Sequence, residues 1–222
     1  MASTMTNLDL LQSRTLADLV QQEILRLIKA GEITAGSKLN ELTFVQLLRV
    51  SRAPIREAFR ALEAAGLVKL EKNRGVFVRE ISGDEARELY QLRAILDETA
   101  GRYLAPRISD AEIIELQGWL IRLEAAAATG QVGDYFPLNI AFHDRIVEMT
   151  GNMTLLEFYR RAIDRMHLLR RQSFSAPGGS SPSRQEHRAI VAALESRDPD
   201  LAAAILRKHV ENGYQRFLDI NT

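Results

Sequence analysis

The sequence of 222 residues contains no cysteine, so disulfide bonds and thiolate metal sites are excluded. A chain of this kind fits a reducing, bacterial-type cytoplasm, and we predict that location. No apolar run reaches the length of a membrane span, and the opening segment MASTMTNLDLLQSRT lacks the apolar core of a signal peptide. We therefore expect no membrane as a partner. Neither an HExxH zinc-hydrolase pair nor a GxSxG nucleophile elbow occurs, which removes two common enzyme classes.

The chain also has no excess of charge of one sign, since 29 lysines and arginines balance 29 aspartates and glutamates. The charge is unevenly distributed, however. Residues 1–79 carry 12 basic and 8 acidic side chains, a net charge of +4, and residues 80–222 carry 17 and 21, a net charge of −4. All four histidines lie in the second part: His143, His167, His187 and His209. This asymmetry predicts a basic module joined to an acidic module with different chemistry.

Three short amphipathic helices and a hairpin are predicted within residues 10–80. Apolar residues follow helical spacing up to Gly31, and NELTFVQLL is typical of a second short helix. Ser51 is a suitable N-cap for a third helix that runs to Gly66. The alternating segment LVKLEKNRGVFV then predicts a two-stranded hairpin with Gly75 in its turn. This order of elements predicts a winged helix-turn-helix.

The third predicted helix carries a row of arginines. In SRAPIREAF and the residue that follows it, Arg52, Arg56 and Arg60 are spaced by four and occupy an arc of roughly 80° on one helix face. A helix of this size fits the major groove of DNA, where an arginine can donate two hydrogen bonds to guanine. The alternative is a solvated charged face on an ordinary helix. We prefer DNA binding because the row lies in the last helix before a hairpin, inside the basic part of the chain.

Further residues of this unit are placed to contact the DNA backbone. Ser51, at the start of the third helix, can donate a hydrogen bond to a phosphate, and the helix dipole favours the same contact. Arg74 and Gly75, at the tip of the hairpin, would reach the neighbouring backbone or the minor groove. The unit is therefore expected to contact DNA through both the helix and the hairpin.

After the segment REISGD, strand signals disappear and helical signals continue to the end of the chain. Several amphipathic helices, about six, are predicted between residues 83 and 218, and helices of this size form a bundle. The predicted fold is therefore mostly α, with an N-terminal winged helix-turn-helix and a C-terminal all-α helical bundle.

Three histidines lie near the core side of predicted helices in the C-terminal part. His143, His187 and His209 each have apolar residues three or four positions away, and Asn139 precedes His143 by one helical turn. Three neutral imidazoles and one oxygen ligand would suit zinc, nickel or manganese. The alternative is three unrelated core or surface histidines, and the spacing leaves both interpretations open.

The N-terminal motifs resemble those of a known family. VSRAPIREA, LEAAGLV and NRGVFV follow one another as in the DNA-binding domain of GntR-family bacterial transcription regulators. The resemblance implies a DNA-binding regulator whose contacts come from the start of the third helix and from the hairpin tip. The implied base contacts are Arg52 and Arg56, and the implied backbone and groove contacts are Ser51, Ala53, Arg74 and Gly75.

Two residues depart from that family pattern. Arg49 stands where the turn between the second and third helices usually has glycine, so a left-handed backbone there would cost about 1 kcal/mol. We include Arg49 in the predicted DNA-binding set. Leu42 stands where some members carry a DNA-contacting arginine, and leucine cannot make that contact.

The acidic part resembles the all-helical effector domain, called FCD, of the FadR-like branch of the same family, and specifically its metal-containing members, over residues 83–218. NIAFH, QEH and RKH reproduce a pattern in which an acidic residue precedes a histidine by four positions and two later histidines follow. The resemblance implies that Asn139, His143, His187 and His209 hold a divalent transition metal, with zinc the expected ion. Asn139 replaces the usual aspartate and removes one negative charge, although an amide oxygen can still coordinate a metal.

Arg93, in LYQLRAILDETA, is the predicted effector-binding residue. Leu89, Leu92 and Leu96 predict the buried stripe of its helix, and Arg93 lies among them. A guanidinium keeps its proton, so its burial demands an anionic or hydrogen-bonding partner. Asp97, one turn later, could be that partner, whereas in the related domains the arginine at this place resembles a holder for the carboxylate of an effector. We prefer the effector because the planar guanidinium matches a carboxylate.

These features together predict a ligand-responsive transcription regulator, expected to be a repressor, and not an enzyme. Two recognition helices must address two half-sites related by a twofold axis, so we expect a homodimer on an inverted-repeat operator of double-stranded DNA. A small carboxylate metabolite, bound beside the metal, would change the affinity for DNA. The alternative is a metal-ion sensor with no organic effector, and a dimerisation scaffold without any effector is a third interpretation.

Overall fold

The computed structural model describes residues 15–128, 132–173 and 181–221. The chain divides into two compact units, of which the first ends at Glu80. Residues 10–14 of the predicted N-terminal domain lie outside the described residues. Within the described ranges, no helix is long and apolar enough to cross a membrane.

Within residues 15–80, the N-terminal unit contains three helices whose limits follow local sequence signals. They are α1 (Leu16–Ala30), α2 (Glu41–Leu48) and α3 (Arg52–Ala64). Helix α1 follows a capping box formed by Thr15 and Asp18. It ends, as predicted, at Gly31, whose φ of 72° lies in the left-handed region where glycine is favoured. Helix α2 is capped by Asn40, whose side chain accepts a hydrogen bond from the Leu42 amide at 2.8 Å.

A small antiparallel sheet completes this unit. Its strands are β1 (Lys38–Leu39), β2 (Val68–Glu71) and β3 (Gly75–Val78), in the spatial order β1-β3-β2. Strands β2 and β3 form the predicted hairpin, whereas β1 was not predicted. Two residues are too few for a periodic signal, and β1 exists because Lys38 and Leu39 pair with the free edge of β3.

The tip of the hairpin differs in detail from the prediction. Gly75 is the first residue of β3, where it pairs with Glu71, and the connecting residues are 72–74. The amide of Arg74 donates to the Glu71 carbonyl at 3.0 Å and closes the turn. The left-handed position within the turn is taken by Asn73, with φ of 63°. Asparagine tolerates this conformation better than most residues, which explains its presence in the turn.

The connection between α2 and α3 passes through Arg49, which has φ of 54° and ψ of 42°. This is the left-handed conformation anticipated for a position that usually carries glycine. For a residue with a Cβ it costs about 1–2 kcal/mol. Arg49 therefore stores backbone strain in the turn that sets the angle between the two helices.

The core of the N-terminal unit lies between α1, α3 and the sheet. Phe44 of α2 packs edge-on against Phe59 of α3, with ring centroids 5.9 Å apart. The buried side chains include Val20, Ile24, Leu27, Ile28, Leu39, Ile55, Ala58, Leu62, Val68 and Val78. Because α3 buries this apolar face, its arginine row is left on the opposite, exposed side.

The C-terminal unit is an all-helical bundle. Its helices in the described part of the chain are α4 (Gly83–Leu104), α5 (Asp110–Ala128), α6 (Val132–Met149), α7 (Met153–Ser173), α8 (Ser181–Glu195) and α9 (Pro199–Asn221). Helices α4 and α9 approach closely at Gly101, where an added Cβ would lie 2.6 Å from a methyl group of Leu206 and 2.9 Å from the Ala202 carbonyl. The predicted fold, mostly α with a winged helix-turn-helix before a helical bundle, is confirmed.

The buried face of α4 differs from the predicted leucine stripe. Leu89 is buried, but Leu92 is 44% exposed. Arg93 and Asp97, which are only 3% and 1% exposed, take part in the buried face instead. The apolar pattern misplaced the stripe because two charged residues that neutralise each other occupy inward positions.

Candidate functional site

The predicted DNA-contacting residues all lie at the surface of the N-terminal unit. They are Arg49, Ser51, Arg52, Ala53, Arg56, Arg74 and Gly75, and every one is exposed. Among the described residues, which include the whole first turn of α3, the hydroxyl of Ser51 makes no capping hydrogen bond to that turn. The first amides of α3 and this hydroxyl can therefore donate to an external anion.

A carboxylate that the sequence interpretation did not assign lies beside the arginine row. Oε2 of Glu41, the first residue of α2, is 2.8 Å from Nε of Arg56, and its Oε1 is 3.7 Å from Nε of Arg52. The hydrogen bond to Glu41 raises the pKa of Arg56 above its already high value. Glu41 and Arg56 are fifteen positions apart and lie on two helices joined by a turn, so no helical spacing connects them.

The hairpin tip carries a second group of cations. Arg74 forms an ion pair with Glu71 and lies over the ring of Phe77, 5.5 Å from its centroid. Lys38 approaches the same ring from β1 at 5.8 Å. Between this tip and α3 lies a cleft of about 540 Å³, lined by residues that include Lys38, Arg56, Arg60 and Arg74. Helix and hairpin thus present basic groups to one cleft.

In the C-terminal unit, helices α6, α8 and α9 bring three histidines together. One candidate ligand nitrogen from each of His143, His187 and His209 lies within 4.8 Å of the others. Nε2 of His143 and Nε2 of His187 are 3.2 Å apart. Two nitrogens bound to one tetrahedral zinc lie about 3.3 Å apart, because each zinc–nitrogen bond is about 2.0–2.1 Å. The spacing of these two imidazoles fits a shared metal ion.

All three imidazoles are held in the neutral form that metal coordination requires. Burial lowers the pKa of His143 and His187 well below the ordinary histidine value, and Coulombic repulsion from His209 adds to both shifts. Burial also lowers the pKa of His209, although its hydrogen bond to Glu186 acts in the opposite direction. The cluster can therefore offer three lone pairs at neutral pH.

Three buried polar atoms around this cluster have no hydrogen-bond partner among the described residues. They are Oδ1 of Asn139, Nδ1 of His143 and Nδ1 of His187. Asn139 is 3% exposed and lies one turn before His143 on α6. A buried amide oxygen without a partner costs free energy unless a ligand supplies the missing interaction. The three imidazoles therefore fit a divalent transition metal, and the unpartnered oxygen of Asn139 lies one turn before His143 on the same helix.

Glu186 orients His209 from behind. Its Oε2 accepts from Nδ1 of His209 at 2.8 Å, which leaves Nε2 of that ring with its lone pair. Nδ2 of Asn212 and both terminal nitrogens of Arg216 also donate to this carboxylate, at 2.8–2.9 Å. Burial would raise the pKa of Glu186, but the hydrogen bonds from His209, Arg216 and Asn212 outweigh it and lower the pKa to about 2.

Arg93 forms a buried cluster next to the histidines. Its Nε donates to Oδ2 of Asp97 at 3.2 Å, and the Tyr159 hydroxyl interacts electrostatically with the guanidinium. The other oxygen of Asp97 is 3.7 Å from Nδ1 of His143, longer than a hydrogen bond. Burial raises the pKa of Asp97 to about 6, although the charge of Arg93 opposes that shift. Asp97, the predicted alternative to an effector as the partner of Arg93, is thus hydrogen-bonded to it.

The tertiary structure adds residues that the sequence interpretation missed. Besides Glu41 and Glu186, a buried pair comes close to His187: Ser183 lies 3.4 Å from its Nε2 and accepts a hydrogen bond from Tyr135 at 3.3 Å. The adjacency of glutamate and histidine in QEH was the one available signal for Glu186. The fourth histidine, His167, packs edge-on against Phe136 at 5.6 Å and lies outside the three-histidine cluster.

Comparison with known proteins agrees with this geometry. The family model described as "FCD domain" matches residues 88–212, and the one described as "Bacterial regulatory proteins, gntR family" matches residues 16–78. The Nta operon transcriptional regulator of Aminobacter aminovorans is 29% identical over 185 residues, which cover 83% of this chain and 86% of that protein.

One further curated relative and one solved structure also match this chain. The "Probable D-xylose utilization operon transcriptional repressor" of Paenarthrobacter nicotinovorans is 30% identical over 197 residues, 88% of this chain and 86% of that protein. The solved structure of McbR/YncC from Escherichia coli covers 94% of this chain and 100% of its own, with a TM-score of 0.84 at 18% identity, so the fold is shared. The chain therefore belongs to the GntR family of bacterial transcription regulators, in the FadR-like branch with an FCD domain, and is a DNA-binding regulator and not an enzyme.

Proposed function

We propose that this chain is a repressor that binds an inverted-repeat operator as a homodimer, and that a small organic acid bound beside a divalent metal changes its affinity for that operator. The observation that carries the proposal is the convergence of His143, His187 and His209 close to the buried Arg93. A DNA-binding regulator with an internal anion and metal site can couple a metabolite to DNA affinity, provided that the two states bind the metabolite differently.

For the DNA contacts, α3 enters the major groove. Arg52 and Arg56 donate to bases, while Ser51 and Ala53 contact the phosphate backbone. The remaining predicted contacts come from the turn and the hairpin tip: Arg49, Arg74 and Gly75. The exposure of all seven residues and the basic cleft between α3 and the hairpin support these roles. Two such units on an inverted repeat require a twofold-symmetric dimer.

For the metal, the ligands are Asn139, His143, His187 and His209. Zinc is the preferred ion because three imidazoles and one oxygen suit its tetrahedral coordination, and nickel or manganese would also accept this set. When bound, the metal would supply a positive charge, and an ion that expands from four to five ligands could also coordinate an anion.

The charge balance around the metal supports an anionic effector. Three imidazoles and the Asn139 amide are all neutral. The two nearby carboxylates are already neutralised, Asp97 by Arg93 and Glu186 by Arg216. A divalent ion at this position would carry its charge uncompensated in a buried site, which is costly. A carboxylate effector supplies the missing negative charge and can also accept hydrogen bonds from the Arg93 guanidinium.

The second candidate is a metal-ion sensor with no organic effector. The observation that favours it is the pairing of Arg93, whose Nε already donates to Asp97. In that case Arg93 would stabilise the bundle, and the metal alone would shift the DNA affinity.

A two-stage experiment separates these candidates. The full chain is first used to select duplexes from a randomised DNA pool, which should enrich an inverted repeat bound by two chains. Affinity for the selected duplex is then measured with Zn²⁺ alone and with Zn²⁺ plus each member of a panel of small carboxylates. A change that requires a carboxylate supports the first candidate, and a full change with Zn²⁺ alone supports the metal sensor. A chain that takes up no metal would contradict both.

The Arg93→Ala and Arg93→Lys variants test the effector residue. Lysine keeps the charge beside Asp97 but loses the planar fork. We expect both to lose the carboxylate response, with operator binding unchanged in Arg93→Lys when no carboxylate is present. A full response in Arg93→Lys would mean that the effector lies elsewhere. If Arg93→Ala fails to fold while Arg93→Lys folds and responds to the carboxylate, the role of Arg93 is to form the ion pair with Asp97.

A further inference from the structure

The contact between Glu41 and the arginine row has no evident role in stability. The side chains of Arg52 and Arg56 are 61% and 60% exposed, and that of Glu41 is 26% exposed. Ion pairs this exposed contribute little to folding, because water screens the attraction and the long side chains lose conformational freedom. The position of the carboxylate, on the face that α3 offers to DNA, points to recognition instead.

The backbone position of Glu41 is set by the start of α2. It is the first residue of α2, directly after the Asn40 cap, whose side chain holds the start of the helix through the Leu42 amide at 2.8 Å. Glu41 Oε2 meets Nε of Arg56 at 2.8 Å, within hydrogen-bond distance, whereas Oε1 is 3.7 Å from Nε of Arg52. Arg56 is therefore hydrogen-bonded to Glu41, whereas Arg52 lies close to it without a hydrogen bond.

The atom used in this contact restricts how Arg56 can meet a base. A guanidinium has five N–H donors, one on Nε and four on the two terminal nitrogens. With Nε engaged by Glu41, the terminal nitrogens remain for a second partner, and the fork can only approach end-on. Two parallel donors in that orientation match O6 and N7 of guanine in the major groove.

The charge of Glu41 acts on the DNA as well. Non-specific affinity comes from cations that neutralise phosphates, independent of sequence. A carboxylate that already pairs with Arg56 and Arg52 reduces their attraction for phosphate and repels any phosphate that approaches the row. The same carboxylate leaves the base-directed donors of Arg56 in place, so it weakens non-specific binding more than specific binding.

We propose that Glu41 is a positioning and specificity-determining residue of the DNA-binding unit: its carboxylate holds Arg56, and more loosely Arg52, in an end-on orientation for guanine and keeps both arginines away from phosphates. This inference rests on the proposed base contacts of Arg52 and Arg56. It assigns to α2 a direct influence on which bases are selected, although Leu42, the neighbouring residue, has no group that can donate to a base.

The test selects duplexes from one randomised pool with the full-length wild type and with Glu41→Gln. Wild type should enrich a motif with strongly preferred guanines in each half-site. Glu41→Gln should enrich a motif in which the preference for those guanines falls roughly five- to tenfold, as expected when one bidentate contact loses its orientation. Its affinity for an unrelated duplex should rise several-fold, with a steeper dependence on salt.

The matched control is Glu57→Gln, which removes the same charge from an exposed position of α3 itself. If Glu57→Gln changes the motif as much as Glu41→Gln does, the effect is one of net charge and the positioning role is wrong. An unchanged motif in Glu41→Gln overturns the proposal outright. A change confined to a base pair other than those guanine-containing pairs would make Glu41 a direct base contact and would also overturn the proposal.

Failure of the underlying function gives a different result. If the wild type itself enriches no motif from the pool, the base contacts of Arg52 and Arg56 are wrong, whatever the variants do. Circular dichroism of Glu41→Gln should match that of the wild type, since glutamine is a good helix former. A fall in guanine preference without a change in helix content separates positioning from a structural role.

Discussion

The ion pairs at the two candidate sites of this chain differ in their exposure to solvent. In the N-terminal unit, Glu41 pairs with arginines that are about 60% exposed, whereas in the C-terminal unit the side chains of Arg93 and Asp97 are 4% and 2% exposed. An exposed pair adds little stability, but a buried pair that loses one member leaves a charge without compensation in a poorly polarisable interior. The first arrangement leaves charges available to an external polyanion, and the second stores charge around an internal site.

The largest expected effect concerns the buried ion pair of the C-terminal unit. Asp97→Ala leaves the Arg93 guanidinium buried beside Tyr159 without its carboxylate, and we expect a loss of about 3–5 kcal/mol of unfolding free energy. Glu41→Gln, at the exposed pair, should cost at most about 1 kcal/mol. Urea titrations followed by circular dichroism measure both.

The double variant Arg93→Met/Asp97→Leu provides the control for that prediction. Replacing both members of a buried pair by apolar residues of similar volume is often close to neutral, so most of the lost stability should return. If Asp97→Ala is as mild as Glu41→Gln, water reaches the Arg93 cluster and the contrast between the two units is wrong.

A somewhat smaller effect is expected from the metal. Purified protein should bind about one divalent metal per chain, and zinc at about 100 times its dissociation constant should stabilise the chain by about 2.7 kcal/mol. The His143→Ala/His187→Ala variant should lose both the metal and the stabilisation. Elemental analysis and thermal unfolding, with and without a chelator, measure these quantities.

Asn139→Asp sharpens the same prediction. A carboxylate at this position adds one negative charge next to the ion, so the affinity for zinc should rise roughly tenfold or more. The fold of the N-terminal unit should be unaffected by both changes, because the proposed metal ligands all lie beyond Glu80. Unchanged zinc affinity in Asn139→Asp would argue against Asn139 as a ligand.

In the N-terminal unit, the arginine row of α3 should contribute to DNA affinity and not to folding stability. Arg52→Ala and Arg56→Ala should each cost about 1–3 kcal/mol of operator binding and relax the base preference at one position of each half-site. Arg74→Ala should instead weaken binding to all sequences and reduce the salt dependence, because Arg74 is proposed to contact phosphates and not bases. Fluorescence anisotropy with specific and unrelated duplexes distinguishes the two patterns, and unchanged affinity in both α3 variants would show that the row is a solvated face.

The smallest effect concerns the backbone strain at Arg49. Arg49→Gly relieves a left-handed residue, whereas Arg49→Ala removes the charge but keeps the Cβ, so the glycine variant should be the more stable by about 1 kcal/mol. Both should lose the same DNA contact. Thermal unfolding of the two variants side by side measures the difference, and equal stability would mean that the turn relaxes without cost.

Much of the N-terminal unit could be predicted because its signals are local. Gly31 ends α1, Ser51 precedes α3, and the alternation around KNRG forms the hairpin, as anticipated. The strand β1 and the carboxylate beside Arg56 could not, since both depend on segments that meet only after the chain has folded. In the C-terminal unit, the six helices followed their amphipathic patterns, but the leucine pattern of α4 concealed which face is buried.

By itself, the sequence determined the elements and their chemistry: helical and alternating periodicity, caps and glycines, the basic and acidic halves, and three histidines on core-side positions. These follow from interactions within a few residues, which the order of amino acids states directly. Only the tertiary structure decided that His143 and His187, 44 positions apart, lie 3.2 Å from each other, that Glu186 orients His209, and that Glu41 holds Arg56. Such contacts depend on how helices pack, and packing sums many small apolar contacts that no short segment contains.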